Sequence, residues 1–545
     1  MVRFELYSTG SNSHGQLGIG TDDDLSEYTP IALPRCEPLE LACGANHTLL
    51  LVADGDSTEL YGAGSNATGQ LGNGESRLRT TFDRIGWNEF VPADAPIDER
   101  AYEIVGVDST WSTSFVHLRA RESESLRGSV AKSDILVSFG SNDWGERASD
   151  QRPREGTVST SSSFVSFDHV MSRPVRINRL VAGPRHVLAL LEPLEPLESA
   201  SSSPILVGWG ASRHGQLGQH APGGEKAPKI TPRPEIVHLP AGFSARDVVD
   251  FSCGKDHSAI LLQPHASTSR SEPTLVVLGS NKHGQLGPGG TKLEPKQNVL
   301  PLSDLVTACQ HSQRTEPLVR VRTTWNSTFV AVDPRGCCGS NPFVGSFGSN
   351  SHGQLGDAAD APSADVRFVV VNATPCRQSR SDALTVQFPD EAVTLESDRF
   401  GSFETTSARQ IGSIELSTGS EHALALIKAS STTTTTPNQQ DLYTWGWNEH
   451  GNLGLGFGDV EDRREPVRVR GPIGARIEAG WHVERIWGGM ATSWVLLSCS
   501  QVNSTATGTS RVGSDDGKWE ERQDLVRDRR GIAPLSAPKG SRTNT

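Results

Sequence analysis

The stretch Gly10-Ser-Asn-Ser-His-Gly-Gln-Leu-Gly18 comes back along the chain as Gly64-Ser-Asn-Ala-Thr-Gly-Gln-Leu-Gly72, Gly210-Ala-Ser-Arg-His-Gly-Gln-Leu-Gly218, Gly279-Ser-Asn-Lys-His-Gly-Gln-Leu-Gly287 and Gly348-Ser-Asn-Ser-His-Gly-Gln-Leu-Gly356. Two copies are degraded: Gly140-Ser-Asn-Asp-Trp-Gly145-Glu, and Gly446-Trp-Asn-Glu-His-Gly-Asn-Leu-Gly454. Seven copies of a nine-residue pattern make this a repeat protein before any other property is considered.

A second unit alternates with the first. It reads Cys43-Gly-Ala-Asn-His47, Ala182-Gly-Pro-Arg-His186, Cys253-Gly-Lys-Asp-His257 and Thr418-Gly-Ser-Glu-His422, with apolar runs such as Leu49-Leu-Leu-Val52 behind it. Altered versions stand at Ser109-Thr-Trp111, Thr324-Trp325 and Gly488-Gly-Met490, again completing seven. Short apolar runs bounded by Gly, Asn, Asp and Ser are strands joined by turns. In those turns Gly supplies positive φ, and Asn or Ser caps nearby amides. The Leu of Gln-Leu-Gly is expected to be a core plug repeated around a ring.

One such sheet cannot bury both faces, but sheets stacked radially can, and they shelter their edges as well. The expected fold is therefore all-β, a seven-bladed β-propeller over residues 1–499. The loop Asp54-Gly-Asp-Ser-Thr58 places Leu49–Ala53 and Leu60–Gly62 in one hairpin. Each blade then runs from a Gly-x-x-His strand through a hairpin to a Gly-x-Asn strand and a final strand. The chain enters this cycle at the third strand, Phe4–Ser8, and leaves it at the second, Thr492–Ser498. The last blade should thus close by pairing the N- and C-terminal strands, and both Gly-rich turns should share one face. Repeat spacing of 54 to 98 residues puts the excess length into polar insertions, expected as long disordered loops: Arg119–Asp134, Gln151–Ser163, Glu192–Ser203 and Lys428–Gln440. Residues 500–545 are expected to be a disordered tail.

Composition bounds the function. Net charge is −13, which argues against broad binding to nucleic acid or an anionic membrane. There is no apolar run long enough for a transmembrane helix, and Met1–Tyr7 is not patterned as a signal peptide. The eight cysteines form no C-x-x-C pair and read as reduced thiols. Walker, H-E-x-x-H and dinucleotide motifs are missing. The chain is expected to be no enzyme, with no cofactor and no metal.

Recurrence sorts the residues. His47, His186, His257 and His422 hold one repeat position. A catalytic group is needed once, so these are structural, bonding a turn carbonyl. The framing glycines are structural on the same ground: Gly10, Gly18, Gly64, Gly72, Gly210, Gly218, Gly279, Gly287, Gly348, Gly356, Gly446 and Gly454. The deviations carry the functional expectation. Trp111, Trp325 and Met490 are placed where other repeats carry Asn46, Arg185, Asp256 or Glu421, as anchors on the common loop face, since Trp is enriched in interface hot spots. Asp108, Trp447, Glu449, His450, Trp481 and His482 are assigned to neighbouring loops or strand ends as further partner contacts.

These repeats resemble the regulator-of-chromosome-condensation family, whose members form seven-bladed propellers. Leu442-Tyr-Thr-Trp445-Gly-Trp447-Asn-Glu449-His450-Gly and Arg485-Ile-Trp487-Gly-Gly-Met-Ala-Thr492-Ser-Trp494-Val-Leu-Leu497 look like its alpha-tubulin suppressor, or killer-toxin-insensitivity, subgroup. That resemblance implies a cytoplasmic and nuclear monomer or heterodimer. Its partner would be a small zinc-binding, diphthamide-linked protein serving Elongator-dependent wobble-uridine modification of transfer RNA and diphthamide synthesis. The alternative is a guanine-nucleotide exchange factor for a Ran-like small GTPase, although residues 1–9 lack the basic tail used for chromatin docking. A tryptophan light sensor needs a dense cluster, and eleven Trp spread over seven blades do not suggest one.

Overall fold

The computed structural model describes residues 2–500 apart from 34–35, 73–76, 93–96, 122–131, 150–161, 195–202, 219–227, 264–272, 289–296, 303–317, 334–341, 358–362, 371–383, 389–390, 396–400, 403–410 and 430–439. Seven sheets form the blades of a ring, antiparallel except where the short strand Gly401–Ser402 adds in parallel to Ser363–Val370 of blade 5. Blade 1 contains the strands Glu37–Cys43, His47–Asp54, Ser57–Gly64 and Arg79–Ile85. Blades 2 to 6 begin at Tyr102, Val175, Val248, Leu318 and Ile411. Blade 7 joins His482–Gly488 and Thr492–Ser500 to Val2–Gly10 and Leu25–Pro30. The expected closure is present: Val2 faces Ser500, Gly10 faces Thr492, and every residue between is paired. The hairpin of blade 1 turns on Gly55 and Asp56, between the paired residues Asp54 and Ser57.

The core is divided among the blade junctions. Seven apolar clusters lie between neighbouring sheets. Val116 and Leu118 of blade 2 pack with Leu49 and Leu51 of blade 1, and Val321 of blade 5 packs with Leu275 and Val277 of blade 4. Leu6 and Trp494 of blade 7 meet Leu41 and Leu50 of blade 1. A strand in the middle of a blade is covered on both faces, which is why His257–Leu262 is buried throughout and ends in the apolar run Ala259-Ile-Leu-Leu262 without polar alternation. Leu17, Leu71, Leu217, Leu286, Leu355 and Leu453 are fully enclosed, so the Gln-Leu-Gly plug stands as expected.

The insertions need correction at their ends. Arg119 closes the strand Thr113–Ala120 and bridges the buried Asp134 at 3.3 Å, while His117 meets the same carboxylate at 2.8 Å. Glu192, Lys428 and Gln440 also lie in strands. Paired β-structure therefore continues into the polar stems, because strand pairing depends on backbone amides rather than on side-chain polarity. The middles of these insertions and the tail from 501 lie outside the described residues. So do Cys309, Cys337, Cys338 and Cys376; Cys36, Cys43, Cys253 and Cys499 are free thiols.

Candidate functional site

Both Gly-rich turns of every blade emerge at one end of the ring. The amide after each first glycine donates to a carbonyl of the neighbouring turn, from Ser65 to Asn46 at 2.7 Å, Ser280 to Asp256 at 2.9 Å and Trp447 to Glu421 at 2.9 Å, with the same bond in the other four blades. The first glycine makes the approach possible. At Gly64 φ is +103°, and a Cβ there would land on the Asn46 carbonyl oxygen. The turn interiors are satisfied by their own side chains. Asn66 Oδ1 accepts from Leu71 N at 2.7 Å, and Gln70 Oε1 accepts from Thr68 N at 2.8 Å. This end is thus a rigid platform on which irregular side chains are displayed.

The second turns register by one bond: Gly44 N to His47 O, Thr110 N to Thr113 O, Gly254 N to His257 O, Thr324 N to Ser327 O and Gly489 N to Thr492 O, all 2.8–3.0 Å. This corrects the expected alignment by one residue. Trp111, Trp325 and Met490 are equivalent to Ala45, Pro184, Lys255 and Ser420, not to Asn46, Arg185, Asp256 and Glu421. The slip has a physical cause. In the altered copies a small hydroxyl residue (Thr113, Ser327 or Thr492) replaces the histidine, which removes the landmark used to count. The corrected position is the innermost one, and its backbone links the blades around the axis. Ala45 N donates to Trp111 O, Trp111 N to Pro184 O, Lys255 N to Trp325 O and Trp325 N to Ser420 O, at 2.7–3.0 Å.

Trp111 of blade 2 and Trp325 of blade 5 come from opposite sides of the ring and meet over the axis. Their ring centroids are 5.7 Å apart and tilted by 35°. Trp111 remains 43 % exposed. The Lys255 ammonium lies 5.3 Å from the Trp325 ring, a cation–π distance. Tryptophans 214 positions apart in the sequence thus form one aromatic centre, although the count by blade gave no cluster.

Charged side chains surround this centre. Arg185, Arg213, Lys255 and Lys282 stand on blades 3 and 4, with Asp256 beside Lys255. Glu421, Glu449, Asp462 and Asp24 stand on the turns of blades 6 and 7. Among the latter, His450 pairs with Asp24 at 2.7 Å, and His352 pairs with Asp462 at 2.8 Å. Trp447 lies between the two imidazoles, with centroids 5.3 Å from His450 and 6.2 Å from His352. Trp447, Glu449 and His450 therefore form one group on the loop face. Met490 joins Trp325 at the mouth of the axial cavity, and Asp108 lines it from a strand end. Trp481 and His482 are placed elsewhere. His482 begins the strand that reaches the loop face only at Gly488, and Trp481, just before it, is buried beneath Arg3 and Arg476 at the opposite end. Among the described residues, no group of three or more His, Cys, Asp or Glu could hold a metal ion.

The regulator of chromosome condensation (RCC1) repeat matches residues 5–51, 207–261 and 440–482, segments from blades on several sides of the ring. The chain carries RCC1 repeats in these segments. It is 26 % identical over 477 residues to the mouse secretion-regulating guanine nucleotide exchange factor, covering 87 % of this chain and 80 % of that protein. It is 25 % identical to the Arabidopsis thaliana ultraviolet-B receptor over 58 % of this chain and 52 % of that one. Among solved structures it resembles human WBSCR16, with a TM-score of 0.56, 17 % identity and coverage of 92 % and 100 %. It likewise resembles Prp20p of Saccharomyces cerevisiae, with a TM-score of 0.55, 17 % identity and coverage of 96 % and 95 %. These structures establish the fold.

Within this RCC1-repeat ring the histidines have a role that spacing did not disclose. They bond hydroxyls on the next blade rather than turn carbonyls. His47 Nε2 meets Ser114 Oγ at 2.8 Å, His186 meets Ser258 at 2.8 Å, His257 meets Thr328 at 3.1 Å and His422 meets Ser493 at 3.0 Å. Burial holds these rings neutral, pushing His47 and His186 down to about 3 and His257 and His422 to about 4. The inner strands are edge strands with amides to satisfy, and acids of the preceding blade meet that need. Glu40 accepts from Val107 N at 3.0 Å, Asp108 from Ala182 N at 2.8 Å and Asp250 from Val321 N at 2.9 Å. No sequence motif announces this, because the two partners lie about one repeat apart.

Proposed function

We propose that the chain is a non-catalytic docking ring whose loop face captures a partner protein on the Trp111–Trp325 pair. The observation that carries this is an indole pair at the centre of the loop face, Trp111 exposed and Trp325 half-buried, with basic side chains on blades 3 and 4 and acidic ones on blades 6 and 7. Desolvated Trp anchors supply much of the affinity at interfaces, and opposed charge sectors fix orientation and speed encounter. The finer reading is that the partner is the small zinc-binding, diphthamide-linked protein, and that the pair serves Elongator-dependent wobble-uridine modification and diphthamide synthesis in cytoplasm and nucleus. It rests on the resemblance of Leu442–Gly451 and Arg485–Leu497 to that subgroup. The likeness to a secretion-regulating guanine nucleotide exchange factor favours a second reading, exchange on a small GTPase. That reading is also favoured by the likeness to Prp20p, whose structure is described together with its binding to Gsp1p and histones.

Binding assays on the purified chain separate the readings. Saturable binding of the small zinc protein, without acceleration of nucleotide release from a Ran-like GTPase, supports the first; the converse supports the second. In either case Trp111→Ala with Trp325→Ala should weaken binding by at least about 2 kcal/mol, roughly thirtyfold, while the melting temperature moves little. Unaltered binding by the double variant would remove the loop-face centre as the docking site.

A further inference from the structure

The Gly-rich turn of blade 2 breaks the repeat at three positions together. Where the six other copies carry His or Thr, then Leu, then Gly, this copy carries Trp144, Arg147 and Ala148. The changes do not serve the turn itself. Arg147 takes the place of the enclosed Leu plug and is only 2 % exposed, next to the equally buried Glu146. Ala148 holds φ of +54°, a conformation left to glycine in the other six copies. Burying charge in place of Leu and holding a Cβ at positive φ both cost stability. Local rules broken together, with strain retained, mark a segment kept for function. What this turn displays is Trp144, 37 % exposed on the loop face.

The Arg185 guanidinium of blade 3 lies 4.7 Å from the Trp144 ring centre. The residue before it, Pro184, accepts from Trp111 N at 3.0 Å, so Arg185 stands between the turns that carry two exposed indoles. We propose that Trp144, Arg185 and Trp111 form a recognition strip for an acidic segment of the partner protein. A carboxylate of the segment bonds the Arg185 guanidinium, and its neighbouring apolar side chains cover the two indoles. This rests on the loop-face docking reading above and adds the chemistry of the partner.

Charge complementarity selects the occupant. Arg185 makes no ion pair among the described residues, and neither do Arg213, Lys255 and Lys282 on the adjoining turns. Asp143 and Asp256 are the acids beside them. Blades 5 to 7 differ, since Asp24 and Asp462 there are already paired with His450 and His352. A guanidinium stacked on an indole keeps its in-plane N–H groups available to a carboxylate, which it can hold through two parallel bonds. Phosphates fit the same fork, but a net charge of −13 opposes a long polyanion. A short acidic segment needs only the local cations.

The probe is the blocked peptide acetyl-Glu-Leu-Glu-Leu-Glu-amide, titrated into the full chain with Trp fluorescence and ligand-observed NMR as readouts. It should bind at one saturable site, at least about tenfold more tightly than the same peptide with Gln for Glu. Arg185→Gln should remove that preference, and Trp144→Ala should weaken both peptides several-fold, with the melting temperature unchanged in each variant. The proposal is overturned by undetectable binding of the glutamate peptide, by equal binding of the two peptides, by a preference that survives Arg185→Gln, or by tighter binding of a single-stranded oligothymidylate. The underlying docking reading is separable. A folded partner lost by Trp111→Ala with Trp325→Ala but held by Arg185→Gln would sink the acidic strip and leave the axial pair standing as the docking site.

Discussion

Blades 4 and 5 are neighbours whose second turns close with the same bond, Gly254 N to His257 O at 2.9 Å and Thr324 N to Ser327 O at 3.0 Å, yet the two turns serve different purposes. In blade 4 the imidazole of His257 folds under Gly254, where a Cβ would strike the ring, and reaches across to Thr328 of blade 5. In blade 5 the hydroxyl of Ser327 stays within its own blade on Ser349 O at 2.9 Å. With no ring beneath it, position 324 can hold a threonine, and Trp325 turns toward the axis. His therefore needs Gly, whereas Gly does not need His. Four copies keep both and lock adjacent blades together, blades 2 and 5 give up both and display Trp111 and Trp325, and blade 7 keeps Gly489, replaces the histidine by Thr492 and displays Met490.

The largest effect should come from a site that both kinds of turn require. Gly279 has φ of +115°, and a Cβ there would meet the Asp256 carbonyl oxygen. Strain and overpacking together predict that Gly279→Ala costs about 4 kcal/mol by urea denaturation. A loss below about 1 kcal/mol would show that the turns are more compliant than their shared geometry implies.

Converting blade 4 into the form of blade 5 tests the coupling directly. Gly254→Thr alone should cost about 3 kcal/mol, because its side chain has to displace the buried imidazole. Added to His257→Ser, the same change should cost about 1–2 kcal/mol, since the ring is gone and the Thr324 carbonyl oxygen, which a Cβ would meet at 2.8 Å, is the obstacle left. A double-mutant cycle reads the difference, and additivity would break the account of paired Gly and His.

Acid should act mainly through the histidine copies. Their folded-state pKa values of about 3 to 4 lie below the unfolded value of about 6.5. The unfolded chain then binds more protons as pH falls, so this stabilisation is complete above about 6.5 and drains away toward 3 to 4. Glu146 and Asp108, both raised to about 7 by burial, act with the opposite sign, losing stability as pH rises from about 4 through 7. Denaturation curves at stepped pH should show His257→Ser flattening the acid limb, and an unchanged limb would discount the neutral-histidine lock.

The smallest effect concerns the degraded copy in blade 2. Ala148 stands where other copies have the ninth glycine, and it holds φ of +54°. Ala148→Gly should stabilise the chain by about 0.5–1 kcal/mol by relieving that conformation. A destabilised variant would mean that the methyl group's packing outweighs its strain.

Much of this was legible in the residues. Seven blades, the Leu plugs, the strand that closes the ring and the shared loop face all follow from a repeat whose turns need glycine at fixed offsets. The one-residue misalignment of Trp111, Trp325 and Met490 arose where His gives way to Thr or Ser and the motif loses its reference point. Trp481 and His482 were grouped with the loop face because they adjoin it in sequence, but a seven-residue strand carries the chain from one end of the ring to the other.

By itself, then, the sequence determined the architecture, because local turn chemistry and alternating apolar runs repeat often enough to permit one closed arrangement. Only the tertiary structure decided what the irregular copies do. The meeting of Trp111 with Trp325, the imidazole bonds between blades and the bond from Ala182 N to the Asp108 carboxylate all join residues tens to hundreds of positions apart. Such contacts depend on how the ring closes, which no local spacing encodes.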